Sequence, residues 1–593
     1  MATCDRLPNH AAIRYRKGGH WVDLTFKEIQ NRVFMLVSAL QAYGLDKGDH
    51  VAILSENRPE WFITDLASLC LGVASVSLYA TLKTDQIHYI LDQSESRFLF
   101  VENREQLGKI RHQLDTLPRI EKVIVFDPFG VELDEKIVSF QEVINIGRKI
   151  DKNPDEIHAL IQAVQPDDLA SIVYTSGTTA YPKGVMLSHA NFVSNIRDMK
   201  KMFVLSESDV VLGILPLAHV LERCGAYYTA FLTSGSMYAF AESLDTVARD
   251  MAEVKPTFVV AVPRLFEKIY LRIIETVKSG SGIKKAIFNW ALQVGRQYHQ
   301  AGGGQKDLSF ALQQQYRLAH RLVFKKLHNN FGGRIRFFVS GGASLEPRIG
   351  RFFQSVGIKI MEGYGLTETA PVNTANHEGA FRLGSVGKAL DSVRLKLAED
   401  GEILVKGPNV TKGYYRKPEE TQELFDDEGW LKTGDIGRID EDGFLWIIDR
   451  KKEIIVTSGG KNIAPQPIEN LLTSNPFISH AMLIGDTKNF ISALIVPNFE
   501  KMREWSRDSG LGDLTPEQMI QTEEIYNKMQ AEIQATIAGL PRYEQVKKFI
   551  MLQHPWTVDG GELTPTMKLK RRVILRKFSS HIDALYRSDL KQP

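Results

Sequence analysis

Cysteine is nearly absent. Cys4, Cys70 and Cys224 are scattered over 593 positions, too few and too far apart for a disulfide framework or a thiolate metal site. Such a chain suits a reducing compartment, so a cytoplasmic protein is expected, working either free or at the inner face of a membrane. Long apolar runs are also lacking. Residues 66–82 and 224–241 approach the roughly 20 residues that span a bilayer. Both are studded with Gly, Ser and Thr and read as buried helix or strand. The opening MATCDRLPNH has no apolar stretch of the secretory kind. Nor is one sign of charge in excess. Lys plus Arg number 73 against 71 for Asp plus Glu, and that balance gives no reason to expect a nucleic-acid partner.

What is present is α/β texture. Apolar, β-branched runs such as SIVYTSG (171–177), TFVVAVP (257–263), RIRFFVSGG (334–342) and GIKIMEG (357–363) end in Gly, Pro or Ser and alternate with helical patterns. Strands of this kind put their ligands in the loops beyond the strand ends. Residues 271–330 read as helical, broken at Gly302-Gly303-Gly304. Ile283, Ala286, Ile287, Trp290, Ala291 and Val294 recur at three- and four-residue spacing. That face is expected to pack on its own domain, although Lys284 and Lys285 beside it also suit an anionic membrane surface. Beyond Asp449 the texture changes. HAMLIG and FISALIVP flank residues 486–489 as a hairpin would, and a charged helical stretch follows over 500–538. The expected organisation is a large multi-layer α/β domain over 1–449 and a smaller α+β domain over 450–593.

Six segments carry chemistry. In Tyr174-Thr175-Ser176-Gly177-Thr178-Thr179-Ala180-Tyr181-Pro182-Lys183-Gly184, a strand leads into hydroxyls, glycines and one lysine. Such a loop can turn N–H groups, hydroxyls and an ammonium onto phosphate oxygens. No Ser or Thr follows the lysine in Walker A spacing. The next, Glu362-Gly363-Tyr364-Gly365-Leu366-Thr367-Glu368-Thr369, sets an aromatic face beside a hydroxyl and a carboxylate suited to Mg²⁺. Then come Thr433-Gly434-Asp435, Asp449-Arg450-Lys451-Lys452-Glu453 and Ser458-Gly459-Gly460-Lys461, in which Asp435 could bind ribose hydroxyls. The last is Leu563-Thr564-Pro565-Thr566-Met567-Lys568-Leu569-Lys570-Arg571-Arg572, by itself a basic helix start or a lipid-binding cluster. Each segment alone is matched by a bland alternative: a polar turn, a tight turn or a solvated charge run.

Their order and company resemble the adenylate-forming superfamily, which includes acyl-CoA synthetases, luciferase-like enzymes and peptide-synthetase adenylation domains. The resemblance spans nearly the whole chain and implies that superfamily's fold, a large α/β domain with a smaller mobile C-terminal α+β domain. It further implies that Thr175, Ser176, Gly177, Thr178, Thr179 and Lys183 bind phosphate, and that Gly341, Gly342 and Ala343 line the adenine pocket. Tyr364 would stack on adenine, Thr367 would contact phosphate and Glu368 would ligate Mg²⁺. Asp435 and Arg450 would hold the ribose, with Lys452 as the hinge and Ser458, Gly459 and Gly460 as the coenzyme A-side loop. Lys568 would be the catalytic lysine, and His219 the histidine beside the acyl and thiol channel. Ala180 stands where the family usually has glycine, which restricts the loop's backbone freedom.

Ser55-Glu56-Asn57-Arg58-Pro59-Glu60-Trp61, Val262-Pro263-Arg264-Leu265-Phe266-Glu267-Lys268 and LTPTMKLKRR resemble the long-chain fatty acyl-CoA synthetase branch. The implied reaction takes a fatty acid and ATP with Mg²⁺ to acyl-AMP and pyrophosphate, then coenzyme A to acyl-CoA. A fatty acyl-AMP ligase that loads a carrier protein and a catalytically dead nucleotide- or lipid-binding regulator remain as alternatives. Acyl chain length and oligomeric state leave no mark in these motifs.

Overall fold

The computed structural model describes residues 2–175, 181–243, 245–302, 308–458, 461–564 and 567–586. The first large sheet has seven strands in the order Ile137–Ser139, Lys122–Val125, Phe98–Val101, His50–Leu54, Ala74–Leu78, Leu169–Thr175, Lys183–Ser188. Its parallel strands are short apolar runs such as FLFV and ASVSL, buried along their length, as strands covered on both faces must be. Only the last pairing is antiparallel, with Thr175 opposite Lys183. The strands that flank the hydroxyl-rich segment therefore pair with each other, and a strand, not the helix that follows a Walker loop, begins at Lys183.

The second large sheet has nine strands, and its centre is parallel: Lys359–Gly365, Phe337–Ser340, Phe258–Ala261, Val210–Gly213 and Met237–Phe240 in that order. The loops leaving two of these strands lead to His219 and Gly341, and Tyr364 lies near the C-terminal end of a third, all at the same end of the parallel strands. One hydrophobic core takes residues from both sheets, among them Val51, Ile53 and Val173 from the first and Val211, Phe258 and Phe337 from the second. A π-helix, Leu221–Ser234, runs through this seam with most of its side chains buried. Tyr227 from this helix stacks on Phe62 with ring centroids 3.6 Å apart.

Arg223 of the π-helix is wholly buried and ion-paired with Asp65. It also donates to Tyr228 Oη (2.8 Å) and Ser171 Oγ (2.7 Å), while Tyr228 donates to the second oxygen of Asp65 (2.8 Å). Ser171 belongs to the strand that leads to the hydroxyl loop, so one charged cluster ties that strand to the helix following His219.

A four-stranded antiparallel sheet ends in the hairpin Leu431–Ile439 with Leu445–Arg450. Beyond it lies a three-stranded sheet in which Ile478–Ile484 pairs with Ser492–Pro497 as the expected hairpin. This sheet has its own core, which includes Ile455, Ile468, Leu483, Ile495 and Phe549. The helical stretch after residue 500 is three helices, Phe499–Asp508, Pro516–Gln521 and Glu523–Ile537. Gly510 and Gly512, both at positive φ, break the first from the second. Residues 271–330 are helical as read, but their apolar face is only half used. In Gly282–Gln300, Phe288, Ala291, Leu292, Val294 and Gly295 are buried, whereas Ile283 and Ile287 face solvent.

Asp65→Asn leaves the buried Arg223 without its counter-charge and should cost about 3–5 kcal/mol. Asp65→Leu with Arg223→Met removes both charges and should recover much of that loss. Chemical-denaturation midpoints of the three proteins read this directly. Equal destabilisation by the single and the double variant would show that shape, not charge pairing, matters there.

Candidate active site

Asp435 lies directly opposite Arg450 on the last hairpin of the four-stranded sheet. Its carboxylate is buried. Arg450 Nε lies 3.1 Å from Oδ1, Tyr364 Oη donates to Oδ2 at 2.7 Å, and the Asp435 N–H donates to Thr433 Oγ1 at 3.1 Å. Burial raises the pKa of this carboxyl, and the nearby Arg450, Tyr364 and Lys568 pull it back. An ionised carboxylate has about four acceptor positions, so both oxygens keep capacity for further donors such as ribose hydroxyls. Tyr364 is thereby fixed by its hydroxyl, and its ring is left as a platform.

Glu362, two residues before Tyr364, is buried, and burial pushes its carboxyl up to about 7 against hydrogen bonds from the backbone of Leu345 and Gly384. It holds the turn after Gly341–Ala343 against the strand that carries Tyr364. Gly341 is tight by necessity, since a Cβ there would sit 3.0 Å from Leu221. Gly342 adopts a positive φ of 83°, a conformation that favours glycine.

Glu368 sits in the short 3₁₀ turn Thr367–Thr369. Tyr414 Oη donates to its Oε1 at 2.8 Å, and Lys183 Nζ lies 5.0 Å from the centre of the Tyr414 ring. Met186 N donates to Gly413 O and Tyr415 N to Gly184 O, which fastens the strand after the hydroxyl loop to the 413–415 segment. Lys183, Tyr414 and Glu368 thus form one cluster. Tyr414 escaped the sequence reading, because a tyrosine after a glycine carries no signal of a carboxylate some 46 positions away. Ser176, Gly177, Thr178, Thr179 and Ala180, like Gly459 and Gly460, lie outside the described residues.

His219 begins the turn into the π-helix. Leu221 N donates to its Nδ1 at 3.1 Å, so the ring proton resides on Nε2. Burial, then the charge of Lys568, pushes its pKa down to about 4. It is a neutral Nε2–H donor at any ordinary pH.

Lys568 lies opposite Thr564, hydrogen-bonded to it in both directions. Thr564 N donates to Lys568 O (2.8 Å), Lys568 N donates to Thr564 Oγ1 (3.0 Å), and Met567 takes a positive φ of 64°. Lys568 is within electrostatic range of Arg450, Asp435, Glu453 and His219. The lysine keeps an exposed edge, yet the surrounding protein removes enough water that desolvation, then Arg450, pushes its ammonium down to about 8. Arg571 pairs with Glu453 (3.1 Å) and with Glu469, so the lysine loop is bound to the beginning of its own domain.

That domain touches the rest through a few polar contacts. Arg264 donates to Ser479 O (3.1 Å), Asn470 to Ser344 O (3.3 Å), Gln466 N to Asp449 Oδ2 (3.1 Å), and Lys501 pairs with Glu275 (2.7 Å). Lys452 is exposed in the turn after Arg450, where Glu453 N and Ile454 N both donate to Arg450 O. Ser458 Oγ donates to Asn489 Oδ1 at 2.7 Å, away from the lysine cluster's hydrogen bonds.

Residues 2–415 match the family described as AMP-binding enzyme, and residues 452–590 match its C-terminal domain. The chain belongs to the AMP-binding enzyme family. It is 36% identical to the long-chain-fatty-acid–CoA ligase FadD15 of Mycobacterium tuberculosis, over 98% of this chain and 95% of that one. It is 31% identical to human long-chain-fatty-acid–CoA ligase ACSBG2, over 98% and 91%. Among solved structures, the adenylation domain of a carboxylate reductase from Mycobacterium chelonae superposes with a TM-score of 0.76 at 22% identity, covering 98% of this chain and 90% of that one. ATP-bound MatB from Rhodopseudomonas palustris gives 0.70 at 23%, covering 98% of each. At these identities the structural likeness is one of fold. The resemblance drawn from the motifs, and the α/β class with it, are borne out for this AMP-binding chain.

If Lys568 must be charged to act, kcat/KM for ATP should fall as pH rises through about 8, because that ratio reports the free enzyme. kcat should hold to higher pH, since bound phosphate favours the ammonium. Lys568→Arg, always charged, should lose the alkaline fall in whatever activity it retains. ATP–pyrophosphate exchange measures all three, and a wild-type kcat/KM flat from neutrality well into the alkaline range would contradict the assignment.

Proposed function

We propose that this AMP-binding enzyme is an AMP-forming long-chain fatty acid–CoA ligase. The observation that carries the reading is the position of Lys568, brought from the C-terminal domain onto the Tyr364–Asp435–Arg450 cluster of the other. The names of its relatives supply the substrate class.

In the first half-reaction, ATP lies with its base on Tyr364 against the Gly341–Ala343 turn, its ribose on Asp435, and its phosphates between Thr175, Lys183 and Thr367. A carboxylate is a poor electrophile, because its charge repels nucleophiles and oxide does not leave. A fatty-acid carboxylate oxygen therefore bonds to the α-phosphorus, the bond from that phosphorus to the bridging oxygen breaks, and pyrophosphate departs. Catalysis here rests on positioning and on neutralising spread negative charge. Lys568 meets the carboxylate and α-phosphate as that charge develops.

Glu368 fits Mg²⁺. Tyr414 occupies one of its oxygens, the other is left for a cation, and Mg²⁺ asks for one or two carboxylates with phosphate oxygens and water. When bound, the ion neutralises the phosphates and favours pyrophosphate as a leaving group.

The second half-reaction requires the space that Lys568 occupies. Rotation of the residues beyond Lys452 withdraws the lysine loop together with Glu453 and Arg571 and brings the segment at Ser458 toward the site, while Arg450 stays paired with Asp435 on its hairpin. The coenzyme A thiolate then bonds to the acyl carbonyl carbon, and AMP leaves with the electron pair of the C–O bond. His219, a neutral donor beside this path, can orient the carbonyl without adding charge that would hold the thiolate elsewhere.

Mass spectrometry of products from ATP, Mg²⁺, coenzyme A and a mixture of carboxylic acids from acetate to oleate tests the proposal. Long-chain acyl-CoA is the expected product. Acyl-AMP without thioester would assign the chain to the acyl-AMP ligases, short-chain thioesters alone would overturn the substrate class, and no product would leave a nucleotide-binding protein without turnover.

A further inference from the structure

The balance of charge over the whole chain hides a local excess. Between residues 276 and 345 there are eleven Lys and Arg and one acidic residue, Asp307. Two of the eleven are used inside the fold: Arg336 pairs with Asp209, and Arg334 donates to Ser208 O. Lys284, Lys285, Arg317, Arg321, Lys325 and Lys326 are exposed, and none of them is in an ion pair among the described residues.

These residues sit on two neighbouring helical segments. Gly282–Gln300 and the continuous run Phe310–Ala319, His320–Phe324, Lys325–Asn330 lie antiparallel, with Tyr298 stacked on Tyr316 at 3.8 Å. Gly295 abuts Phe324, and a Cβ there would come within 3.2 Å of the ring. Both segments turn one side into the core, through Phe288, Ala291, Ala319 and Phe324 among others. Their outer sides carry large apolar residues among the cations: Ile283 is 75% exposed, Leu322 54% and Leu318 49%. Ile287, one turn from Ile283, and Phe310 are also exposed.

Folding stability gives no reason for this arrangement. Lys284 and Lys285 stand in the opening turns of their helix, which has no acidic residue in its first turn; cations there oppose the helix dipole. Isoleucine and leucine in water lose the burial that is their chief contribution to a fold. Apolar side chains set among lysine and arginine on a helix face are what an anionic bilayer interface takes. The apolar groups enter the acyl boundary, and the cations meet the headgroup charge. No helix among the described residues is long and apolar enough to cross a membrane, so the contact is peripheral.

We propose that the outer face of the helices spanning 282–330 docks the protein on anionic lipid bilayers. The surface is complementary to the membrane in charge and in apolar content, and a duplex nucleic acid would use only the charge. Docking there would bring the protein to the phase in which a long acyl chain is concentrated. That consequence rests on the proposed substrate class; the docking itself does not.

The test is vesicle flotation of the full chain without ATP or coenzyme A, so failure of the ligase reading leaves the result intact. Wild-type protein should float with phosphatidylcholine vesicles containing about a third phosphatidylglycerol, not with phosphatidylcholine alone, and binding should weaken as salt rises. Lys284→Glu with Lys285→Glu should reduce partitioning roughly tenfold or more. Ile283→Ser with Ile287→Ser should reduce it several-fold at unchanged charge. Both pairs are exposed and none of the four residues belongs to the site described above, so ATP–pyrophosphate exchange with a soluble acid should be unaffected. Binding unchanged in both variants, equal binding to neutral vesicles, or tighter binding to duplex DNA than to anionic vesicles would each overturn the proposal. So would a shift from dimer to monomer caused by the isoleucine pair, which would give the face to a second copy of the chain.

Discussion

The pairing of Asp435 with Arg450 is the joint on which the rest of the site depends. A buried carboxylate is stable only with partners, because removing its charge from water is costly unless hydrogen bonds and an opposite charge replace the solvent. Asp435 draws those partners from three places: Arg450 across its own hairpin, Tyr364 from the nine-stranded sheet, and the field of Lys568 from the far domain. One charge therefore fixes the Tyr364 ring and the strand that ends at Arg450, and lies within the field of Lys568. Two of these partners belong to the same domain as Asp435 and one to the other. Under the proposed mechanism, that asymmetry lets a single cleft serve two reactions.

The same economy governs the domain contact. Parts of the C-terminal domain are held to one another by charge pairs, such as Arg571 with Glu453 and Glu469, whereas the polar contacts named across the boundary mostly involve a backbone atom on one side. Inside the larger domain the opposite holds. The Arg223–Asp65 cluster binds the strand leading to the hydroxyl-rich loop to the helix after His219, so those two elements are held together within that domain.

Much of this was legible in the sequence, for identifiable reasons. The strands ending at Thr175, Ala261, Ser340 and Gly365 were visible because buried parallel strands are compact apolar runs. Asp435, Arg450, Tyr364 and Lys568 were visible because their motifs keep a fixed order along the chain, and the fold gathers them as that order implies. Tyr414 and the Arg223–Asp65 cluster were not. They are polar partners across 46 and 158 positions, and no local pattern encodes such a separation. The helical period around Ile283 announced an apolar face expected to pack on its own domain, and the structure packs only part of it, leaving Ile283 and Ile287 exposed. The total charge misled in a similar way, since acidic residues elsewhere cancel a cationic stretch that is concentrated in space. The glycine-to-alanine departure at Ala180 lies outside the described residues.

The central claim is that Lys568 belongs to one half-reaction only. Single-turnover assays of Lys568→Ala separate the halves: acyl-AMP formation from ATP and acid, and thioester formation from supplied acyl-AMP and coenzyme A. Removing one charge aimed at the transition state should slow the first by roughly 10²–10³ and leave the second close to wild type. Equal loss of both would contradict the account, because it would mean that the lysine does not leave the cleft between the two reactions.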